Sequence, residues 1–276
     1  PTDSDEFTEY TLRIDPEFGI FWWYISNLPD SITWAEEKCK IAGITRITEI
    51  THLDRIGLPV FSAIRPTSQD GAISIYGGKG ISSEHAKASA MMEGFERYSA
   101  EKQCENLVTG TVSEISSKGN TIDVESLNLP KDFKKENIEL FNLEWNICHD
   151  LISGDDYYVP SNAIYHPYAL EDNSCKSLFK SNTNGLASGN SLEEAILHGM
   201  FEVIERDAWS IFELTHENYK QIDLDSIESE TVNDAISKFS ENDIKIKLMD
   251  FTADVNIPTI AASADDTLLK DAGLLT

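Results

Sequence analysis

Two short clusters of charged residues carry the chemistry that this sequence offers. Glu93, Glu96 and Arg97 form one, and Glu202, Glu205 and Arg206 form the other. Both read Glu-x-x-Glu-Arg. On a helix the two carboxylates of each cluster lie at i and i+3 and project from one face. Ser89, Glu93, Glu96 and Arg97 make a single stripe, and Asn190, Glu194, His198, Glu202, Glu205 and Arg206 make its counterpart. Met92, Phe95, Phe201 and Ile204 alternate with the charges, so both helices are expected to be largely buried. Carboxylates are rarely buried unless they are paired or bind a metal. Four of them facing one another would repel without a cation. A hard cation such as Mg2+ takes carboxylate and phosphate oxygens together, and the two arginines could contact phosphate or orient the carboxylates. The bland alternative is a wet helix face with intrahelical ion pairs.

The recurrence weighs against that alternative. Gly80–Arg97 aligns without gaps on Gly189–Arg206. Identical pairs are Gly80/Gly189, Ser82/Ser191, Glu84/Glu193, Ala86/Ala195, Met91/Met200, Glu93/Glu202, Glu96/Glu205 and Arg97/Arg206. Each copy therefore reads as a glycine turn, a serine cap and a helix. The second copy has a capping-box pattern, Ser191-x-x-Glu194. Helix formation explains the caps and alanines, but not the repeated charges.

These helices need elements to hold them. A first helix is expected over 31–42, with extended segments over 47–52, 59–64 and 72–76. Gly77-Gly78-Lys79-Gly80 then leads into the first charged helix. Further strands are expected over 138–143, 157–165, 245–251 and 259–262, with helices over 191–215 and 226–240. Ile20–Ile25 reads as a buried strand, and 113–135 as an exposed, turn-rich excursion. Alternation of this kind means an α/β protein. No low-complexity linker divides the chain, so residues 1–276 read as one domain.

Other candidates stand alone. The 77–80 turn fits either a phosphate cradle, with Lys79 at hand, or plain structure; it lacks P-loop spacing. Arg65, before Pro66 at a strand end, reads equally as a ligand residue or a surface arginine. His198 reads as a core or supporting residue more than a proton-transfer group. No Ser/His/Asp or Cys/His constellation can be assembled.

Composition sets the outer limits. With 22 basic and 48 acidic residues the net charge is −26, which excludes nucleic-acid binding through a general basic surface. Apolar residues make up 41% and charged residues 25%, ordinary for a globular protein. No apolar run is long enough to span a membrane. Cys39, Cys104, Cys148 and Cys175 lie far apart without a C-x-x-C pair, which fits a reducing, cytoplasmic setting. The scattered histidines offer no imidazole metal site. Pro1 in place of Met is expected to reflect processing or trimming.

The sequence resembles the YcaO superfamily. Ser89-Ala90-Met91-Met92-Glu93-Gly94-Phe95-Glu96-Arg97 matches its Ser-x-x-x-Glu-x-x-Glu-Arg signature, and Asn184–Ala195 with Glu202-x-x-Glu205-Arg206-Asp207 matches a second. The run from Thr45 through Leu53-Asp54-Arg55-Ile56-Gly57-Leu58-Pro59-Val60 to Pro66 is similar to the opening of this domain in methanogenic archaea. The resemblance implies a YcaO-type α/β fold, with repeated strand–Gly turn–helix units bringing the two Glu-x-x-Glu-Arg helices together. It implies ATP and Mg2+ as cofactors, with Glu93, Glu96, Glu202 and Glu205 holding the metal. Ser89, Arg97, Asn190, Glu194 and Arg206 would contact or position the nucleotide, with Arg97 and Arg206 cast as catalytic. It further implies O-phosphorylation of a peptide-backbone amide while a nucleophile adds to the carbonyl carbon. Sulfide as nucleophile gives a thioamide; Cys, Ser or Thr side chains give azolines. The standalone methanogen-type members point to thioglycine formation in the alpha subunit of methyl-coenzyme M reductase, with a TfuA-like sulfide-delivery partner and a homodimeric enzyme. Azoline formation on a ribosomal peptide and a non-catalytic ATP-binding scaffold are the alternatives. The resemblance also implies a further conserved segment and a proline-rich C-terminus that this chain lacks.

Overall fold

The computed structural model describes residues 13–14, 21–22, 28–102, 107–131, 133–170, 174–217, 219–266 and 268. In chain order the elements are β1 (Arg13–Ile14), β2 (Phe21–Trp22), α1 (Leu28–Ala42), β3 (Arg46–Glu49), β4 (Val60–Ile64), β5 (Ile75–Lys79) and α2 (Ser83–Ala100). They continue with β6 (Val108–Gly110), α3 (Val112–Ser116), β7 (Leu143–His149), β8 (Asp156–Pro160) and α4 (Leu192–Thr215). The last are β9 (Lys220–Ile222), α5 (Glu230–Ser240), β10 (Ile244–Asp250) and β11 (Ile260–Asp266). The chain divides into two units, one of 1–67, 74–96 and 184–276, the other of 68–73 and 97–183. No composition shift in the sequence marks this division.

In the first unit β3, β4 and β5 form an antiparallel sheet in that order, and β9, β10 and β11 form another with β10 central. β1 pairs with β2, Ile14 opposite Phe21; the rest of the expected 20–25 strand lies outside the described residues. Gly77 and Gly78 belong to β5 rather than to a loose turn, paired with Ser62 and Phe61. The expectation of a glycine turn is corrected here for a steric reason. A Cβ on Gly78 would stand 2.1 Å from the Ala90 nitrogen and 2.2 Å from the Ala86 carbonyl oxygen. The strand needs glycine to lie flush on α2, and Ala86, Ala90 and Met91 are fully buried there. Against the second sheet, Phe212 of α4 stacks on Phe251 with ring centroids 4.2 Å apart, and Trp209 and Tyr219 complete the aromatic cluster.

The second unit is built on β6, β7 and β8, antiparallel with β7 central. Its core gathers Ile115, Val124, Ile138, Leu143, Trp145 and Leu178. Thr111 caps α3 in a complete capping box with Glu114. The expected exposed excursion over 113–135 is also corrected: Ile115 and Val124 from that stretch are core residues. Its polar composition hid these two buried anchors and the partly buried Leu127, Leu129 and Phe133 packed against the same core.

Candidate active site

The two glycine–serine turns ahead of the charged helices have matching local geometry. Ser82 Oγ accepts the His85 backbone N–H at 3.3 Å, and Ser191 Oγ accepts that of Glu194 at 3.3 Å. A Cβ on Gly80 would meet the Ala86 nitrogen at 2.6 Å; on Gly189 it would meet the Ala195 nitrogen at 2.5 Å. Both positions therefore require glycine for the same reason, close approach to the first turn of the helix that follows. The reciprocal arm of the second cap differs from the expected box. Glu194 Oε2 reaches past Ser191 to the Asn190 backbone N–H at 2.9 Å, and also accepts from Asn190 Nδ2 at 3.1 Å.

The first glutamate of each motif has a further common feature. Glu93 Oε2 accepts the backbone N–H of Gly77 at 3.1 Å, and Glu202 Oε2 accepts that of Gly185 at 2.6 Å. Charge-assisted bonds of this kind fix a carboxylate in place. The Gly185 segment lies against α4 closely enough that a Cβ on Gly199 would stand 2.8 Å from the Gly185 carbonyl oxygen. Ser188 Oγ donates to the Met92 carbonyl at 3.0 Å, which ties the segment before α4 to α2 one residue from Glu93. His198 Nδ1 lies 3.3 Å from the Ser188 carbonyl oxygen, so this histidine supports the same segment.

The remaining predicted residues are distributed as follows. Glu202 also pairs with Arg206 Nη2 at 3.2 Å; its side chain is 17% exposed and that of Arg206 is 53% exposed. Glu205, Ser89 and Lys79 are exposed, while Glu93, Glu96 and Arg97 are half-buried. Arg65 is not at the surface. It is 2% exposed, its Nε donates to the Ala42 carbonyl at 2.7 Å and its Nη1 lies 3.4 Å from Tyr76 Oη. This guanidinium ties the end of α1 to the β3–β5 sheet. The surface-arginine alternative is corrected by this burial, which nothing local in the sequence announces.

Among the described residues no three His, Cys, Asp or Glu side chains are grouped closely enough to hold a metal ion. The expected convergence of four carboxylates is thus not seen as a formed cluster. The donor chemistry nonetheless fits Mg2+, since every candidate is a carboxylate oxygen on a helix whose position is fixed by capping and by glycine contacts.

A family model described as YcaO cyclodehydratase, ATP- and Mg2+-binding, matches residues 77–275. The chain belongs to the YcaO family. A curated but uncharacterized protein of Methanothermobacter thermautotrophicus is 50% identical over 242 residues, which cover 87% of this chain and 61% of that one. An uncharacterized protein encoded in the tfuA 3′ region of Rhizobium leguminosarum bv. trifolii is 32% identical, covering 80% of this chain and 51% of its own length. The chain thus spans between about half and three-fifths of these relatives. Among solved structures, YcaO from Methanopyrus kandleri bound with AMPPCP and Mg2+ matches with a TM-score of 0.60 and 22% identity, over 88% of this chain and 63% of that one. A heterocyclase in complex with substrate and cofactor matches with a TM-score of 0.74 and 23% identity, over 88% and 36%. The fold is accordingly a mixed α/β one of YcaO type. No described helix is long and apolar enough to cross a membrane.

Proposed function

We propose that this chain is the nucleotide-binding and catalytic part of a cytoplasmic enzyme that uses ATP and Mg2+ to O-phosphorylate a peptide-backbone amide. Two related glycine turn–helix units, of which the first follows β5 and the second has no strand directly before it among the described residues, present the glutamates to a shared nucleotide. The observation that carries this reading is the paired lock of Glu93 on Gly77 and Glu202 on Gly185, in a chain whose family binds ATP and Mg2+. Glu93, Glu96, Glu202 and Glu205 would hold the metal, which would supply charge neutralisation for phosphoryl transfer. Ser89, Asn190, Glu194, Arg97 and Arg206 position the nucleotide, and Lys79 lies at the exposed end of β5 for a phosphate contact. Arg65 keeps its structural role and is left out of this set.

In this scheme a nucleophile bonds to the amide carbon while the amide oxygen bonds to the terminal phosphorus and ADP departs. The carbon–oxygen bond then breaks and phosphate leaves. Phosphoryl transfer of this kind asks the protein for positioning and charge neutralisation more than for a nucleophile of its own. The absence of a Ser/His/Asp set from the sequence is consistent with that.

Sulfide is the proposed nucleophile and a protein glycine the proposed target, as in the alpha subunit of methyl-coenzyme M reductase, with a TfuA-like protein delivering sulfide to a homodimeric enzyme. The methanogen relative and the relative encoded beside tfuA support this version. The family's description as a cyclodehydratase and the heterocyclase likeness favour azoline formation as the second reading. Calorimetric titration of ATP with and without Mg2+, repeated on Glu93→Gln and Glu205→Gln, tests the site. Mg2+-dependent binding lost in both variants supports it; binding untouched in both rejects it. Mass spectrometry of treated peptides then separates the chemistries: oxygen replaced by sulfur means thioamidation, and loss of water means azoline formation. Nucleotide binding with neither product would leave the scaffold reading.

A further inference from the structure

In the first unit β3 is the edge of its sheet and pairs on one side only, with β4. Alternate residues of an antiparallel strand turn their amides toward the partner, and the others turn theirs away. The Ile50 N–H donates to the Val60 carbonyl at 2.8 Å, which fixes the phase. The register then gives Arg46 and Thr48 the bonds to β4 and leaves the amides of Ile47 and Glu49 on the open side. Among the described residues no strand pairs with that side. Ile47 shares a sheet face with the buried Ala63 and Tyr76, and Arg46 lies on the other face.

Beside this edge lies a cavity of about 490 Å³. One wall is a single face of α1, with Glu36, Cys39 and Lys40 at i, i+3 and i+4; the other includes Ile44, Arg46 and Ile47. Cys39 and Ile44 are buried. Burial and, less strongly, Glu36 raise the Cys39 thiol, with Lys87 acting the other way, so it stays protonated and serves as a small apolar surface. Charged residues on an edge strand are a common guard against aggregation, but that role needs no cavity. A groove between an edge strand and a helix is suited to accepting an extended peptide as an added strand, with main-chain bonds for affinity and alternate side chains for specificity. Charge selects the occupant. Glu36 is engaged by Lys87, whereas the exposed Lys40 and Arg46 side chains have no ion pair among the described residues. In a chain of net charge −26, two unpaired cations on one cavity favour carboxylates.

We propose that the groove between α1 and β3 docks an acidic, extended segment of another polypeptide. The segment adds to β3 as a further strand through the Ile47 and Glu49 amides. Its apolar side chains meet Cys39, Ile44 and Ile47, and its carboxylates meet Lys40 and Arg46. No part of this rests on the nucleotide site.

The probe is a fluorescein-labelled heptapeptide alternating valine with glutamate, and its valine–lysine counterpart is the control. Fluorescence anisotropy on the full chain should show the acidic peptide binding about tenfold tighter or more. Changing both cations, Lys40→Gln with Arg46→Gln, should weaken it about tenfold. Hydrogen exchange by NMR reads the strand itself: the Ile47 and Glu49 amides should slow when the peptide binds, while those of Arg46 and Thr48, already bonded to β4, change little. Ile47→Pro removes a donor that β4 does not use and should abolish binding, whereas Ile47→Val should retain it. Binding without slowed exchange at Ile47 and Glu49 refutes strand addition, and equal binding of the two peptides refutes the charge argument. Absence of binding at millimolar peptide overturns the proposal outright. Slowing that appears on raising the protein concentration alone, with a dimer in sedimentation, overturns it in favour of a second copy of this chain. ATP titration run in parallel reports the nucleotide site separately, so either reading can fail without the other.

Discussion

Glu202 Oε2 accepts the backbone N–H of Gly185 at 2.6 Å, across 17 residues of sequence. The bond gives a motif carboxylate a second task, holding the segment before α4 against the helix. Glu202→Ala should therefore cost about 1–3 kcal/mol of stability by leaving that amide without its acceptor. Glu202→Gln keeps an acceptor oxygen and should stay within about 1 kcal/mol of the parent, yet lose Mg2+-dependent ATP binding. Urea denaturation alongside calorimetry separates the two effects. Equal stability loss in both variants would show that charge, not the acceptor, holds the segment.

The glycine contacts make a steric prediction. Gly78→Ala and Gly189→Ala each place a methyl group against helix backbone, with nearest contacts of 2.1 and 2.5 Å. Each should cost about 1–3 kcal/mol through forced backbone shifts. Gly77→Ala, which meets nothing within 4 Å, is the control. Thermal melts of the three variants check this, and a Gly77→Ala loss as large as the others would count against the packing argument.

Lys102 and Glu144 form a buried ion pair at 2.8 Å, with side chains 5% and 1% exposed. Tyr168 Oη donates to the same Glu144 oxygen at 2.7 Å, and Lys102 Nζ lies 5.2 Å from the Tyr168 ring centre. Burial and the Glu144 carboxylate push the Tyr168 hydroxyl well above its ordinary range, so it stays a donor. Removing one charge, as in Glu144→Leu or Lys102→Met, should cost about 3–5 kcal/mol because it strands the other. The double variant should recover much of that loss. Chemical denaturation of the double-mutant cycle measures the coupling.

A pH dependence follows from His166, whose protonation is held low in the folded state by burial and Arg97. The unfolded chain binds this proton at ordinary imidazole pH, so between the two values it binds more protons than the folded protein. The His166 contribution is thus fully present above about pH 6.5 and is lost as pH falls from there through the folded value. His166→Gln should flatten that part of the stability-against-pH curve, read from denaturation midpoints at closely spaced pH values. An unchanged curve would place the acid sensitivity elsewhere.

By itself the sequence determined the longer helices α1, α2, α4 and α5, the serines that open the two charged ones and the recurrence of Glu-x-x-Glu-Arg. Each of these depends on residues within one or two turns, where spacing dictates geometry. The expected 191–215 helix corresponds to α4 over Leu192–Thr215, and Ser191 caps it. What lies across the chain was decided only by the tertiary structure. Glycines 77 and 78 read locally as a turn, and only the proximity of α2 shows why a strand there must lack a side chain at Gly78. Arg65 reads equally as a ligand residue or a surface cation until the Ala42 carbonyl, 23 residues away, is found to accept from it. Polar residues over 113–135 concealed Ile115 and Val124, and with them Leu127, Leu129 and Phe133, because these anchors are irregularly spaced. Lys102 and Glu144, with Tyr168 beside them, belong to no sequence motif. Their partners are brought together by the path of the chain, and pairing at such separations follows from packing rather than from local spacing.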